Sequence, residues 1–260
     1  MNPTVSVIVR TVRRAQRLRE CLQTLAAQTY REFELVLVDM NESPMTPIVE
    51  EMRTHLPIVR HLRLKRACSR PAALNRGIES ARGRLITILD DDNLWEPDHL
   101  GNIVGNFKGA DLAYTGVRIQ TLTPDGKLMQ EQTHYLPFDF NRLLEANFIF
   151  TVATAFRRAL WDEVGRYDEG FPVYEDWEFL IRATHQREVR ALTTYSAISR
   201  AFTGDIHLRK HSANEPDECA RCRTALQWKH RHLRNRPVHD FNVRLLAQWW
   251  WQNHFGVSRT

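Results

Sequence analysis

Four short strand-like segments, separated by amphipathic stretches, fill the first ninety residues and leave few folds open to the chain. Val5-Ser6-Val7-Ile8-Val9, Phe33 to Val38, Val59 to Leu64 and Leu85 to Leu89 read as strands, the first buried on both faces. Residues 13–28 carry Leu18, Cys21, Leu22 and Leu25 at helical spacing. Residues 47–55 and 71–81 read as further helices, the second with Pro71 in its first turn and Gly83 ending it. This alternation predicts an α/β fold: a Rossmann-like, mostly parallel sheet with right-handed crossovers, flanked by helices. Ligands of such sheets bind beyond the carboxyl ends of the strands. Arg10, Thr11, Asp39 and the triplet Asp90, Asp91 and Asp92 all follow strands, so they are expected to gather on that edge.

Farther along, the pattern predicts a helix over 97–107 and antiparallel strands over 112–120 and 127–133, joined by the turn Thr123-Pro124-Asp125-Gly126. Helices are predicted over 139–146, 157–164 and 175–186, and the last fifty residues read mostly as helix. No linker stands out. The expected organisation is one domain over 1–205, in two halves (1–100 and 101–205), with a helical C-terminal extension over 206–260 packed on it.

The formal net charge of +5 fits anionic ligands, whether nucleotides, nucleic acid or an acidic membrane surface, without choosing among them. Four cysteines do not suggest a disulfide scaffold. With no apolar run near the length of a membrane span and no signal-peptide core at the N-terminus, the expected location is cytoplasmic.

Three carboxylates at the end of a buried strand repel one another and lose hydration, which calls for a cation. A hard divalent ion takes carboxylate oxygens, and Mg²⁺ or Mn²⁺ commonly shares them with substrate phosphates. A solvated turn is the alternative, since Asp and Asn also favour turns after strands.

Four segments in order resemble a family 2 glycosyltransferase of the GT-A fold. VSVIVRTVRR at 5–14 resembles the opening VSVIIPTYNR, and QTY at 28–30 before FELVLVD resembles a second family segment. RPAALNRGIESARGRLITILDDDNLWEPDHL at 70–100 resembles R-x-x-A-x-N-x-G-I…L-D-D-D-D…P-x-x-L, and VGRYDEGFPVYEDWEFLIRA at 164–183 resembles V-G-G-F-D-E…E-D-W-D-L-x-x-R. The resemblance implies a metal-dependent, inverting transfer of a sugar from a nucleotide-linked donor. The half at 1–100 would bind the nucleotide and the half at 101–205 the acceptor.

By that resemblance, Asp91 sits near the ribose and Asp92 ligates Mn²⁺ or Mg²⁺ on the donor diphosphate. Asp176, with Glu175 beside it, supplies the general base for the acceptor hydroxyl. A helix N-terminus is the alternative reading of that acidic pair. Arg10, Thr11, Asp39 and Arg70 face the nucleotide, while Asn75 supports helix packing. The donor would be UDP-, GDP- or dTDP-linked; the acceptor a glycan, a lipid-linked sugar or a small molecule; nucleic acid is not expected. Three departures bear on the donor. Arg10 stands where the family typically has Pro or Thr, Met40 where many members have a second Asp, and Asn41-Glu42 where Gly-Ser is usual. Methionine is a poor acceptor for a base N–H, so uridine specificity is not implied.

The C-terminal part leaves alternatives open. His207, His211, Cys219 and Cys222 have spacings suited to structural zinc, or lie on helical faces. His211 alone, in RKHS at 209–212, resembles a late family segment that brings a histidine to the catalytic metal. Trp249, Trp250 and Trp251 cannot all face one side of a helix, which suggests core packing, a homodimer contact or a membrane interface. A nucleotidyltransferase and a non-catalytic degenerate transferase or basic binding module are the rival functions.

Overall fold

A computed structural model describes residues 3–64, 68–203 and 216–233. Its centre is a nine-stranded sheet of β1 (Val5–Thr11), β2 (Phe33–Asp39), β3 (Val59–Arg63), β4 (Leu85–Ile88), β5 (Leu94–Trp95), β6 (Leu112–Leu122), β7 (Leu128–His134), β8 (Thr154–Arg157) and β9 (Val189–Phe202), in the order β3-β2-β1-β4-β8-β6-β9-β5 with β7 paired to β6. The first four strands, β1 to β4, are parallel. Their crossovers are α1 (Ala15–Ala26), α2 (Thr46–Arg53) and α3 (Arg70–Ser80). The expected parallel sheet is therefore present over this half. Beyond β4 the sheet is mixed. β8 runs antiparallel to both β4 and β6, and β7 forms the expected hairpin with β6. β9 lies parallel to β6 and antiparallel to the short β5.

Every residue of β1 and β2 is buried, because helices cover both faces of the sheet. The strand period of two sorts the side chains into two cores. Val5, Val7 and Val9 pack with Leu18, Leu22 and Leu25 of α1. Ile8, Val36 and Val38 pack on the other face with Leu74 and Ile78 of α3 and with Trp177 and Phe179 of α7 (Glu175–Thr184). Asn75 of α3 supports packing as expected: its Nδ2 donates to Tyr167 O at 2.9 Å and its Oδ1 accepts from Tyr167 N at 3.0 Å.

Gly83 has a different role from the helix stop expected of it. α3 ends at Ser80 with Ala81 as its cap, and a Cβ on Gly83 would lie 2.5 Å from Ser6 N. The glycine lets the chain entering β4 press against β1, where Gly83 N donates to Ser6 Oγ at 2.8 Å.

Four further helices follow the sheet's second half: α4 (His99–Phe107), α5 (Phe140–Glu145), α6 (Arg158–Val164) and α8 (Pro216–Lys229), α8 beyond α7. Leu226 and Cys222 of α8 join the second core. Lys229 Nζ reaches Asp168 and Glu178 at 2.7 Å each, and His230 Nε2 lies 3.3 Å from Glu178 Oε1. Thus α8 is fastened to the back of α7. No described helix is long and apolar enough to cross a membrane. His207, His211 and Trp249–Trp251 lie outside the described residues.

Candidate active site

The sheet's carboxyl edge gathers the residues expected there. Thr11 and Asp39 end β1 and β2 as register partners, and Asp90–Asp92 follow β4 directly. The helix α7 brings Glu175 and Asp176 towards the same edge from the far half of the chain.

The triplet divides by environment. Asp90 takes a forked pair of hydrogen bonds from Arg10, Nε to Oδ1 at 2.7 Å and Nη2 to Oδ2 at 3.4 Å. Burial pushes its carboxyl up, but Arg10 and Arg70 outweigh this and hold it below the usual range. Asp91 is pushed up to about 6, by burial first and then by the charge of Asp92, against the opposing pull of Arg14. Asp92 is also raised, mainly by burial. Arg14 Nη1 serves both, meeting Asp91 Oδ1 at 3.2 Å and Asp92 Oδ2 as an ion pair.

Thr11 and Asp91 lie side by side, yet among the described residues neither Thr11 Oγ1 nor Asp91 Oδ2 has a well-formed hydrogen bond, though both atoms are buried. A buried unsatisfied carboxylate oxygen is rare and costly. Its position among hard oxygen donors fits a divalent cation. Among the described residues, no cluster of three or more His, Cys, Asp or Glu has metal-holding geometry. Asp91 and Asp92 would therefore share such an ion with donor phosphates and water, the arrangement Mg²⁺ and Mn²⁺ favour.

Asp39 is fully buried, and each of its oxygens already accepts two donors. Oδ1 takes Asn41 N (3.0 Å) and Asn41 Nδ2 (2.8 Å); Oδ2 takes Met45 N (2.8 Å) and faces His61 Nε2 (2.9 Å). Burial pushes this carboxyl up, but the Met45 and Asn41 hydrogen bonds win and lower it. With its lone pairs spent, Asp39 organises the loop 40–45. Met40 turns into the second core, and Asn41 braces the first loop by accepting from Arg13 N at 2.5 Å.

On α7, Glu175 and Asp176 occupy the first turn, so the helix-terminus reading and the family reading describe the same placement. Glu175 is buried; its Oε1 meets Arg10 Nη1 and Arg70 Nε, each at 3.2 Å. Asp176 is partly exposed and borders a crevice with Ile88, Thr151 and Tyr167. Its Oδ2 accepts from Asn147 Nδ2 (3.3 Å) and Thr151 Oγ1 (3.1 Å). Burial, then the charge of Glu175, pushes its carboxyl up to about 6. A carboxylate poised there can take a proton near neutral pH.

Several contributors have no local signal in the sequence. Arg200, on β9, donates Nε to Asp92 O and its backbone N to Asn93 Oδ1 at 2.9 Å, so it pins the acidic turn. Asn147 and Thr151 reach Asp176 from the segment before β8. Arg14 carries only the weak hint of a basic loop after a strand. On α8, Cys222 is buried in the core and Cys219 lies beside Tyr174, while the histidines of the zinc reading fall outside the described residues.

Acidic residues after a central parallel strand, faced by an acid pair on a helix from the mixed half of the sheet, give the GT-A arrangement that the sequence resemblance implied. Residues 6–165 match the family described as Glycosyl transferase family 2. The chain belongs to that family. It is 31% identical over 190 residues to a PGL/p-HBAD biosynthesis glycosyltransferase of Mycobacterium tuberculosis, covering 69% of each chain. It is 26% identical over 198 residues to an uncharacterised glycosyltransferase of Bacillus subtilis, covering 75% of this chain and 73% of the other. Among solved structures, S. aureus TarS 1–349 in complex with UDP-GlcNAc superposes with a TM-score of 0.67 at 19% identity, over 100% of this chain and 74% of that one. The chain spans 44% of the longer TarS chain. The mannosyltransferase PcManGT of Pyrobaculum calidifontis, in complex with GDP-Man and Mn²⁺, superposes with a TM-score of 0.65 at 19% identity, over 96% and 70% of the two chains.

Proposed function

We propose that this glycosyltransferase inverts configuration as it moves a sugar from a nucleoside-diphosphate donor to an acceptor hydroxyl, with Asp176 as the general base. The observation that carries the reading is the pairing, on one sheet edge, of two acidic groups with different partners. Asp91 and Asp92 are neighbouring carboxylates that share Arg14 Nη1, and Asp176 is a carboxylate that Asn147 and Thr151 orient and burial pushes up to about 6. The first suits a metal–diphosphate and the second a proton.

Asp91 and Asp92 would hold Mn²⁺ or Mg²⁺ against the donor diphosphate. When bound, the ion supplies Lewis-acid stabilisation of the charge on the departing nucleoside diphosphate. Thr11, beside Asp91, would line the nucleotide side. Asp39 would act through the loop it organises, and the half-exposed Arg70 would close over the donor. Asp176 Oδ2, oriented by Asn147 and Thr151, would accept the acceptor's hydroxyl proton as its oxygen attacks the anomeric carbon. Direct displacement from the opposite face inverts that carbon.

Proteins of this fold bind UDP-GlcNAc in one case and GDP-Man with Mn²⁺ in another. With Met40 buried and the Asp39 oxygens occupied, neither residue favours uracil over guanine. The donor is decided by thermal-shift titration of UDP, GDP, dTDP, CDP and ADP, each with Mn²⁺, Mg²⁺ or EDTA. Stabilisation by one nucleotide that EDTA removes supports the reading, as does a product of inverted anomeric configuration. A product released with pyrophosphate would make the protein a nucleotidyltransferase instead.

A further inference from the structure

Arg10 occupies a position unlike that of a nucleotide ligand. It is 8% exposed, and its guanidinium fork is divided between two carboxylates from distant parts of the chain. Nε and Nη2 hold both oxygens of Asp90, while Nη1 holds Glu175 Oε1 at 3.2 Å across 165 residues of sequence. Arg70 Nε, at the start of α3, meets the same Glu175 oxygen. Burial opposes the charge on Arg10, but Asp90 and Glu175 more than offset it. An ion pair this buried brings little net stability over apolar packing, so its value here is geometric. Asp90 is covalently next to Asp91, and Glu175 next to Asp176.

We infer that Arg10 is a positioning residue that ties the donor-holding turn at 90–92 to the base-bearing helix α7 and sets the separation between them. The names of the two ends rest on the transferase reading above; the bridge itself does not. Arginine suits the task because its planar fork presents several donors in fixed directions. A lysine at the same place offers one point charge and cannot hold both oxygens of Asp90 and Glu175 together. The inference also accounts for a departure from the family's usual residue at position 10. The cation there neutralises protein carboxylates rather than donor phosphates.

The test compares wild type with Arg10→Lys and Arg10→Met by amide hydrogen exchange, nucleoside-diphosphate titration with Mn²⁺, and steady-state kinetics. Exchange at 88–94 and at 172–178 is expected to quicken together, by about tenfold or more in Arg10→Lys, since both ends lose one shared constraint. Nucleoside-diphosphate affinity should stay within about threefold, while kcat falls by about a hundredfold in Arg10→Met with KM little changed. Arg10→Lys should recover only part of that loss. A marked loss of nucleotide affinity with kcat unchanged would place Arg10 on the donor and overturn the inference. So would unchanged exchange at either segment. If Arg10→Met does not fold, exchange in Arg10→Lys decides alone. If wild type transfers no sugar from any donor, yet both segments loosen together, the transferase reading falls and the bridge stands.

Discussion

Arg14 Nη1 lies 3.2 Å from Asp91 Oδ1, while Asp91 Oδ2, on the same buried carboxylate, has no well-formed hydrogen bond among the described residues. One guanidinium nitrogen is thus spread over Asp91 and Asp92, whose carboxyls are both pushed above the usual range. Burial is the first cause of both shifts, and a bound cation would oppose it. Asp92→Ala is expected to abolish the thermal stabilisation that a nucleoside diphosphate gives with Mn²⁺. Adding EDTA to wild type should have the same effect. Retention of the metal-dependent shift in Asp92→Ala would remove this carboxylate from the metal site.

Asp176 must be ionised to accept a proton. Its carboxyl is raised to about 6, by burial first and then by Glu175. The active form therefore predominates above that value and is lost as pH falls through it. The kcat/KM profile is expected to show an acid limb near pH 6, with about a tenfold drop for each pH unit below it. Asp176→Asn should lower kcat by about 10²- to 10⁴-fold, the span typical of a lost general base, and leave nucleotide binding intact. Transfer persisting in that variant would assign the base elsewhere.

Thr151 offers a sharper check on the same residue. Its hydroxyl donates to Asp176 Oδ2 at 3.1 Å, which favours the charged carboxylate. Thr151→Val removes that donor at nearly constant volume. The acid limb should then move to higher pH, with the plateau above it less affected. A limb that stays in place, or moves down, would mean that it belongs to another group.

The sequence made one half of this architecture plain and hid the other for a physical reason. β1, β2 and β4 are covered on both faces, so they appear as largely apolar runs, and the Asp90–Asp92 turn follows the last of them. β9 mixes exposed Thr193, Thr194 and Tyr195 with buried Ser196, Ala197 and Ile198, which leaves no single period to recognise. β8 and β5 are four and two residues long and exist through their long-range pairings. The site divides in the same way. Its acidic residues stand in local motifs, but the partners that tune them, Arg10 to Glu175, Arg200 to Asp92 and Thr151 to Asp176, meet only after folding. Resemblance placed Arg10 and Asp39 beside the nucleotide; their hydrogen bonds in the fold are made to protein groups.

Glu178 gives the last prediction, one of stability. It is fully buried on α7 and holds Arg182 through two hydrogen bonds, at 2.9 and 2.7 Å. Lys229 and His230, at the end of α8, converge on the same carboxylate. Burial pushes the Glu178 carboxyl up, but His230 and Arg182 overcome this and hold it far below the usual range. A carboxyl with a depressed folded-state pKa stabilises the protein above its unfolded pKa, near 4.3, and loses that contribution as pH falls further. At neutral pH Glu178→Gln leaves the cations of α7 and α8 without their shared counter-charge. Breaking a buried pair in this way costs about 3–5 kcal/mol, or roughly 6–20 °C in Tm for a domain of this size. Because the carboxylate links the two helices, exchange protection over 216–229 should fall with it. A Tm within about 2 °C of wild type, a shift worth under 1 kcal/mol, would show that α8 is held by contacts other than Glu178, those of Leu226 and Cys222 among them.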